Sequence, residues 1–223
     1  MNRLLQGDVG SGKTIVAAHA IAIIAANDAQ SALMAPTSIL AEQHYRNLLA
    51  TLTKPLGDQP VLQPEEIRLL VGSTSESEKS EIRDALADGR IKLVIGTHAL
   101  LEDPVVFNNL QLTIIDEQHR FGVNQRSILR AKGHNPHLLV MTATPIPRTL
   151  SLTLYGDLDI SCIREKPAGR IPVRTLSFPE SRISGVYNSM KKYIEQGRQI
   201  YYVLPLIEES EKTDLKSAME IFN

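Results

Sequence analysis

One eight-residue segment near the start of the chain constrains the fold more than any other feature. Residues 7–14 read Gly-Asp-Val-Gly-Ser-Gly-Lys-Thr and fit the phosphate-loop pattern G-x-x-x-x-G-K-[ST] at every fixed position. The glycines allow a tight turn whose N–H groups point at phosphate oxygens, and the following helix adds its positive N-terminus. We therefore predict a strand–loop–helix unit that binds a nucleotide through Gly7, Asp8, Val9, Gly10, Ser11, Gly12, Lys13 and Thr14. Lys13 is expected to reach the β- and γ-phosphates, and the Thr14 hydroxyl to ligate Mg²⁺.

Short apolar runs alternate with helical patterns along most of the chain. We predict strands at 4–5, 32–35, 69–71, 93–95, 112–115 and 138–141, and helices at 14–26, 39–52 and 77–87. Gly89 is the expected C-terminal cap of the last of these helices. Strands that alternate with helices indicate an α/β fold, with a mostly parallel sheet covered by helices on both faces.

The amino-acid composition of the sequence changes near Cys162, which predicts a domain boundary. Residues 162–172 are charged and rich in Pro and Gly, as linkers are. We predict a first domain at 1–161, a linker at 162–172, and a second α/β unit at 173–223. The second unit has strand patterns at 173–178 and 200–204 and a helix pattern at 183–196. Some 50 residues are too few for a complete α/β domain, so this unit is expected to be incomplete and the chain to be part of a longer protein.

Composition excludes several classes of function. The 223 residues carry 24 Lys and Arg against 25 Asp and Glu, so the chain as a whole is not a basic nucleic-acid binder. A single cysteine excludes a disulfide scaffold and a cysteine-rich zinc site, and is consistent with a reducing compartment. The longest apolar run, 15–26, is about half the length that a membrane-spanning helix needs. With no targeting segment visible, we expect a cytoplasmic protein without a membrane partner.

A second motif places two carboxylates at the end of a predicted strand. The apolar run 112–115 ends in Asp116 and Glu117. Phosphoryl transfer needs a carboxylate near Mg²⁺ and a group that positions the attacking water. We therefore expect Asp116 to hold the metal, usually through water, and Glu117 to orient or deprotonate the nucleophile. After another predicted strand, residues 142–144 form either a simple turn or hydroxyl hydrogen bonds to Glu117 or His119.

A stretch without acidic residues is the candidate contact with a phosphate backbone. Residues 118–156 contain no Asp or Glu but hold five basic side chains, namely Arg120, Arg126, Arg130, Lys132 and Arg148. Such a local positive field suits nucleic acid. The alternative is a solvated face that happens to lack acids.

Taken together, these segments resemble the superfamily 2 helicases. The phosphate loop, 35–37, 96–98, 116–119 and 142–144 come in the order of helicase motifs I, Ia, Ib, II and III. More specifically, residues 4–14, 116–123 and 142–149, followed by 155–159, resemble the RecG family of bacterial branched-DNA helicases. The nearest rival is the Mfd family of transcription-repair coupling translocases, whose acidic motif typically has a second Glu where this chain has Gln118.

The resemblance implies a RecA-like P-loop NTPase that uses Mg²⁺ and ATP to move on DNA forks and Holliday junctions in repair and recombination. It assigns the catalytic roles to Lys13, Asp116 and Glu117. The remaining roles fall into two sets. Coupling of nucleotide state to DNA is assigned to Gln118, His119, Thr142 and Thr144. DNA contact is assigned to Pro36, Thr37, Thr97 and His98, with Arg120 and Arg148 from the basic stretch.

The resemblance also implies partners outside this sequence. The family has a wedge domain and a complete second motor domain, which supplies an arginine for the transition state, and it is expected to act as a monomer near the nucleoid. Since such an arginine is worth about 10³ to 10⁵ in rate, we expect this chain alone to bind ATP but to hydrolyse it poorly. Three alternatives stay open: an Mfd-like translocase, a non-catalytic nucleotide-binding interaction module and a P-loop metabolic kinase. Glu117 disfavours the module, and the absence of a lid or acceptor-binding signature disfavours the kinase.

Overall fold

A computed structural model of the chain describes residues 1–56, 59–117, 123–144, 158–165 and 173–203. The chain divides into two compact units, Met1–Arg170 and Ile171–Asn223. Among the described residues, no helix is both long enough and apolar enough to cross a membrane.

The first unit is built on a parallel sheet of seven strands. These are β1 (Asn2–Gly7), β2 (Gln30–Met34), β5 (Ile67–Leu70), β6 (Leu93–Gly96), β7 (Leu110–Asp116), β8 (His137–Thr142) and β9 (Asp159–Ile163). They lie in the order β5-β6-β2-β7-β8-β1-β9, and every neighbouring pair is parallel. A short antiparallel pair, β3 (Pro55–Leu56) and β4 (Gln59–Pro60), lies apart from this sheet. All six strands predicted in this unit are confirmed, as is the parallel sheet.

Four helices belong to the described part of the first unit: α1 (Lys13–Ala26), α2 (Ser38–Leu52), α3 (Glu76–Ala87) and α4 (Val123–Ala131). The first three begin one residue before the predicted start and end where predicted. Their ends have local causes. The Thr37 and Ser75 hydroxyls accept hydrogen bonds from the first turns of α2 and α3. Gly89, at φ 76°, closes α3 with a bond from its N–H to Leu86 O.

Apolar side chains cover both faces of the sheet, because successive strand residues point to opposite sides. One core cluster contains Leu4, Met34, Val94 and Ile115 together with residues of α3 and α4. The other contains Leu5, Leu33, Ile95 and Ile114 together with residues of α1 and α2. Helices therefore pack on both faces, as predicted.

Two expectations need correction. Strand β9 ends at Ile163, so the sheet of the first unit extends two residues into the predicted linker, most of which lies outside the described residues. In the second unit the predicted helix is present as α5 (Ile183–Glu195). The strands predicted at 173–178 and 200–204 are wrong for their described residues, 173–178 and 200–203, which form no ladder. A strand needs a hydrogen-bonded neighbour, and the described residues of this unit offer none.

Candidate nucleotide-binding site

Five strand ends meet along one edge of the sheet. In a parallel sheet all carboxyl ends lie on the same side, which is where α/β proteins bind ligands. Here β1 ends at Gly7, β2 at Met34, β6 at Gly96, β7 at Asp116 and β8 at Thr142. Along this edge the strands therefore place the segments in the order 97–98, 35–37, 116–117, 142–144 and 7–14.

The segment 7–14 forms a tight loop between β1 and α1. Gly10 and Gly12 adopt φ angles of 77° and 96°, which residues with a Cβ rarely reach. A Cβ on Gly7 would lie 2.5 Å from Ser11 Oγ and 3.2 Å from Ile163 Cβ, so a larger residue there would crowd both side chains. Gly12 occupies the N-cap position of α1, and no side chain of the described residues caps the helix. The N–H groups of Lys13 and Thr14 can therefore point at an anion, whereas Ile15 N–H donates to Gly12 O at 3.0 Å.

Two polar side chains of the loop fit a phosphate ligand. Lys13 Nζ donates hydrogen bonds to Gly7 O at 2.7 Å and to Asp8 O at 2.9 Å, which keeps the ammonium against the loop. Ser11 Oγ is buried and has no hydrogen-bond partner in the described structure. A buried hydroxyl without a partner is rare unless a ligand or water completes it.

The two carboxylates at the end of β7 are held differently. Asp116 is buried, and its Oδ2 accepts a hydrogen bond from His44 Nε2 at 2.7 Å. Glu117 has a φ of 51°, an uncommon backbone conformation for a residue with a side chain. Its N–H donates to Met141 O at 3.0 Å, and its Oε1 accepts from Ala143 N at 3.3 Å. The loop after β8 therefore fixes Glu117 at the sheet edge.

The hydrogen bonds at the end of β8 favour the simple turn over hydroxyl contacts to Glu117, whereas His119 lies outside the described residues. Thr142 Oγ1 and Thr144 Oγ1 bond to each other at 2.8 Å, and Thr144 N donates to Thr142 Oγ1 at 3.2 Å. The contact from this turn to Glu117 comes from the backbone N–H of Ala143 and not from a threonine hydroxyl.

A cleft of about 540 Å³ joins these groups. It is lined by Val9, Gly10, Lys13, Thr14, Thr37, Leu40, Gln43, His44, Asn47, Asp116, Glu117, Met141 and Ala143. The volume lies within the range of small-molecule sites. The cleft thus brings Lys13 and Thr14 together with Asp116 and Glu117, which are about 100 residues away in the sequence. That arrangement can hold a polyphosphate and its counter-ion.

The residues assigned to DNA contact have mixed positions. Thr37 caps α2 and lines the cleft, and Pro36 beside it is half-buried. Thr97 is buried and its N–H donates to Leu70 O at 3.3 Å, whereas His98 is exposed at the start of a 3₁₀ turn. Four predicted site residues lie outside the described residues, namely Gln118, His119, Arg120 and Arg148. DNA contact by all of these residues stays a prediction.

One cation of the basic stretch has a structural role. Lys132 Nζ donates to Glu102 O at 2.7 Å and to Val105 O at 2.9 Å. Burial lowers the pKa of Lys132, while the nearby carboxylates of Asp103 and Glu102 oppose the shift. Lys132 thus stabilises a neighbouring turn, and its contact with a phosphate backbone stays a prediction.

The sequence analysis did not predict that residues of α2 line the cleft. Gln43, His44 and Asn47 all line the cleft, and His44 contacts Asp116. One signal was present, because His44 falls on the buried face of α2 with Ala41 and Leu48. The spacing predicts burial but not a partner 72 residues away.

Three kinds of similarity to known proteins agree. The model of the DEAD/DEAH box helicase family matches residues 1–153. The chain is 50% identical to the ATP-dependent DNA helicase RecG of Synechocystis over 99% of its own length and 26% of that protein. It is also 50% identical to RecG of Thermotoga maritima over 100% of its own length and 27% of that protein. The chain therefore spans about a quarter of the length of these relatives.

Solved structures show the same fold. A structure of RecG bound to a three-way DNA junction matches with a TM-score of 0.72 and 46% identity, covering 88% of this chain and 25% of that one. The helicase domain of Pyrococcus furiosus Hef matches with a TM-score of 0.55 at 21% identity, covering 88% of this chain and 45% of that one. The second likeness concerns the fold alone. The RecA-like helicase architecture expected from the sequence is confirmed.

Proposed function

The chain belongs to the DEAD/DEAH box helicase family, and from this premise we propose that it is the ATP-binding first motor domain of a RecG-type DNA helicase. One observation carries the proposal. The cleft at the sheet edge holds Lys13 and Thr14 of the phosphate loop beside Asp116 and Glu117. The phosphate loop and the acidic pair, which phosphoryl transfer would need together, therefore line the same cleft.

The residues of the cleft fit Mg²⁺ and ATP. The loop offers backbone N–H groups and the Lys13 ammonium to the phosphates. The Ser11 hydroxyl, which has no partner among the described residues, lies in the same loop. Protein sites usually bind Mg²⁺ through one or two side chains together with substrate phosphates. Thr14 and Asp116 would be those ligands.

Each residue has a defined task in hydrolysis. When bound, Mg²⁺ neutralises phosphate charge as the γ-phosphoryl group leaves. Lys13 would transfer its hydrogen bonds from Gly7 O and Asp8 O to phosphate oxygens. Glu117, held by Ala143 and Met141, would orient the attacking water and accept its proton. Because Ala143 lies between Thr142 and Thr144, a shift of this turn would move Glu117 directly, which supports the proposed coupling role of that segment.

We assign branched DNA as the partner of the whole protein. The RecG relative that matches at 46% identity is bound to a three-way junction. The proposed contacts are Pro36, Thr37, Thr97 and His98, which follow β2 and β6 on the same sheet edge as the phosphate loop. Work on such DNA belongs to repair and recombination. Since an arginine from a second motor domain would complete the site, the chain alone should turn over ATP slowly.

ATP hydrolysis by the purified chain, with and without forked DNA, tests this function. We expect slow turnover, abolished by Glu117→Gln, with ATP binding retained by that variant. A matched control is Glu195→Gln, at the end of α5 in the other unit. Rapid turnover that survives Glu117→Gln would contradict the assigned chemistry, and strand separation by the chain alone would contradict the proposed need for further domains.

A further inference from the structure

A buried histidine on α2 contacts the carboxylate assigned to Mg²⁺. His44 Nε2 lies 2.7 Å from Asp116 Oδ2, and the two residues are 8% and 9% exposed. Nothing in the proposed chemistry so far uses this histidine. It lies beside the carboxylate that is proposed to face the metal.

The other buried residues on the same helix as His44 are apolar. They are Ala41, Leu48 and Leu52, which belong to one core cluster. A buried polar ring is unfavourable unless it is hydrogen-bonded. The hydrogen bond that His44 makes in the described structure is the one to Asp116, and its Nδ1 has no partner there. The polar chemistry of this ring is therefore directed at Asp116.

The direction of the hydrogen bond determines what His44 can do. An ionised carboxylate only accepts hydrogen bonds, so the ring proton between the two side chains must be on Nε2 of His44. This bond holds Oδ2 and limits rotation of the Asp116 carboxylate. The second oxygen, Oδ1, has no hydrogen bond to a described residue, while Asp116 lines the cleft with Lys13 and Thr14. One oxygen is thus anchored and the other is left for a ligand.

We infer that His44 is a positioning residue for the nucleotide site, which orients Asp116 so that its second oxygen faces Mg²⁺ bound with ATP. The inference rests on the proposed function, because it assumes that Asp116 is the metal carboxylate. Residues that hydrogen-bond to metal-binding carboxylates typically change metal affinity or activity about 10- to 100-fold when they are removed. His44 is 72 positions from Asp116 in the chain and on another element, so it links α2 to the acidic motif.

Two amide substitutions separate positioning from simple packing. In His44→Gln the amide nitrogen can reach the place of Nε2 and donate to Asp116. In His44→Asn the shorter side chain puts its nitrogen near the place of Nδ1, where no partner lies. Both variants bury one amide in an apolar face, so a merely structural role predicts similar effects for the two. A positioning role predicts that glutamine rescues and asparagine does not.

The experiment measures how much Mg²⁺ is needed for half-maximal binding of a fluorescent ATP analogue to the full chain. We expect His44→Asn and His44→Leu to raise this concentration about 10- to 100-fold, and His44→Gln to stay within about threefold of the unsubstituted chain. Analogue binding in the presence of a chelator should change little in all variants. His19→Ala is the matched control, because His19 is exposed on α1 and does not line the cleft. Thermal unfolding of each variant gives its stability.

Two results would overturn the inference. One is equal Mg²⁺ dependence of His44→Asn, His44→Gln and the unsubstituted chain. The other is that His44→Asn changes the Mg²⁺ dependence just as much when Asp116 is already replaced by Asn. Failure of the proposed function is distinguishable, because the unsubstituted chain would then show no Mg²⁺-dependent binding that Lys13→Ala removes.

Discussion

Replacing Gln30 with leucine should lower the free energy of unfolding of the first unit by about 1–3 kcal/mol. The side chain of Gln30 is 1% exposed and makes three hydrogen bonds. Its Nε2 donates to Leu86 O at 2.9 Å and to Ile91 O at 2.8 Å, and its Oε1 accepts from Asn109 N at 2.8 Å. One side chain thus joins the segment after α3 to the start of β7.

The magnitude follows from what each partner loses. Leu86 O keeps a hydrogen bond from Asn108 N at 3.2 Å, so losing the bond from Gln30 costs this carbonyl little free energy. Ile91 O is buried and loses the bond that Gln30 supplies, which costs about 1–3 kcal/mol. Asn109 is exposed, so water can replace the bond to its N–H and this loss adds about 1 kcal/mol or less. The sum is roughly 1–4 kcal/mol, from which the better burial of leucine subtracts a part. This is a large fraction of the 5–15 kcal/mol that typical domains possess.

Urea unfolding followed by far-ultraviolet circular dichroism measures the effect. The midpoint should fall clearly for Gln30→Leu with an unchanged slope. Gln59→Leu is the matched control, because Gln59 is exposed on β4, where substitutions are usually within about 0.5 kcal/mol of neutral. A loss below about 1 kcal/mol for Gln30→Leu would refute the reasoning from unpaired groups.

Three further predictions concern stability. Gly96→Ala should cost about 3 kcal/mol or more, because the new Cβ would overlap the carbonyl oxygen of Leu70 on the neighbouring strand; urea unfolding measures this. Lys132→Met should cost about 1 kcal/mol by the same assay, since Val105 O loses its donor while Glu102 O keeps the hydrogen bond from Val105 N. The hydrogen bond from Lys92 lowers the pKa of Asp28 below its ordinary 3.8. A carboxyl group whose pKa is lower in the folded state stabilises that state at pH values above its unfolded pKa. This stabilisation is lost as the pH falls through the folded pKa. Asp28→Asn should therefore lower the urea midpoint near neutral pH and not at a pH below that folded pKa.

The parts of the fold that the sequence predicts are those with a strong local signal. Strands such as β2 and β6 are buried on both faces, so they appear as unbroken apolar runs. Strand β9 was missed because its sequence Asp-Ile-Ser-Cys-Ile is only partly apolar and it lies at an edge of the sheet. Helix α4 was not predicted because its nine residues hold few apolar side chains and no apolar run marks it.

The candidate site divides in the same way. The phosphate loop and the acidic pair are contiguous motifs, so spacing alone predicts their place at strand ends. Contacts between distant segments are not encoded locally. The bond between His44 and Asp116 depends on how α2 packs beside β7, and the bond from Ala143 to Glu117 depends on the alignment of β7 with β8. The spacing of apolar residues predicts which side chains are buried, whereas their hydrogen-bond partners depend on how the strands and helices are arranged.

The most direct test of the nucleotide site is calorimetric titration of the chain with ATP in the presence of Mg²⁺. The unsubstituted chain should bind one ATP. Lys13→Ala should weaken binding roughly 10- to 100-fold, because a hydrogen bond to a charged group is worth about 1.5–3 kcal/mol. Lys54→Ala, which replaces an exposed lysine outside the cleft, should bind as the unsubstituted chain does. Equal affinity of Lys13→Ala and the unsubstituted chain, or no binding by the latter, would contradict the account.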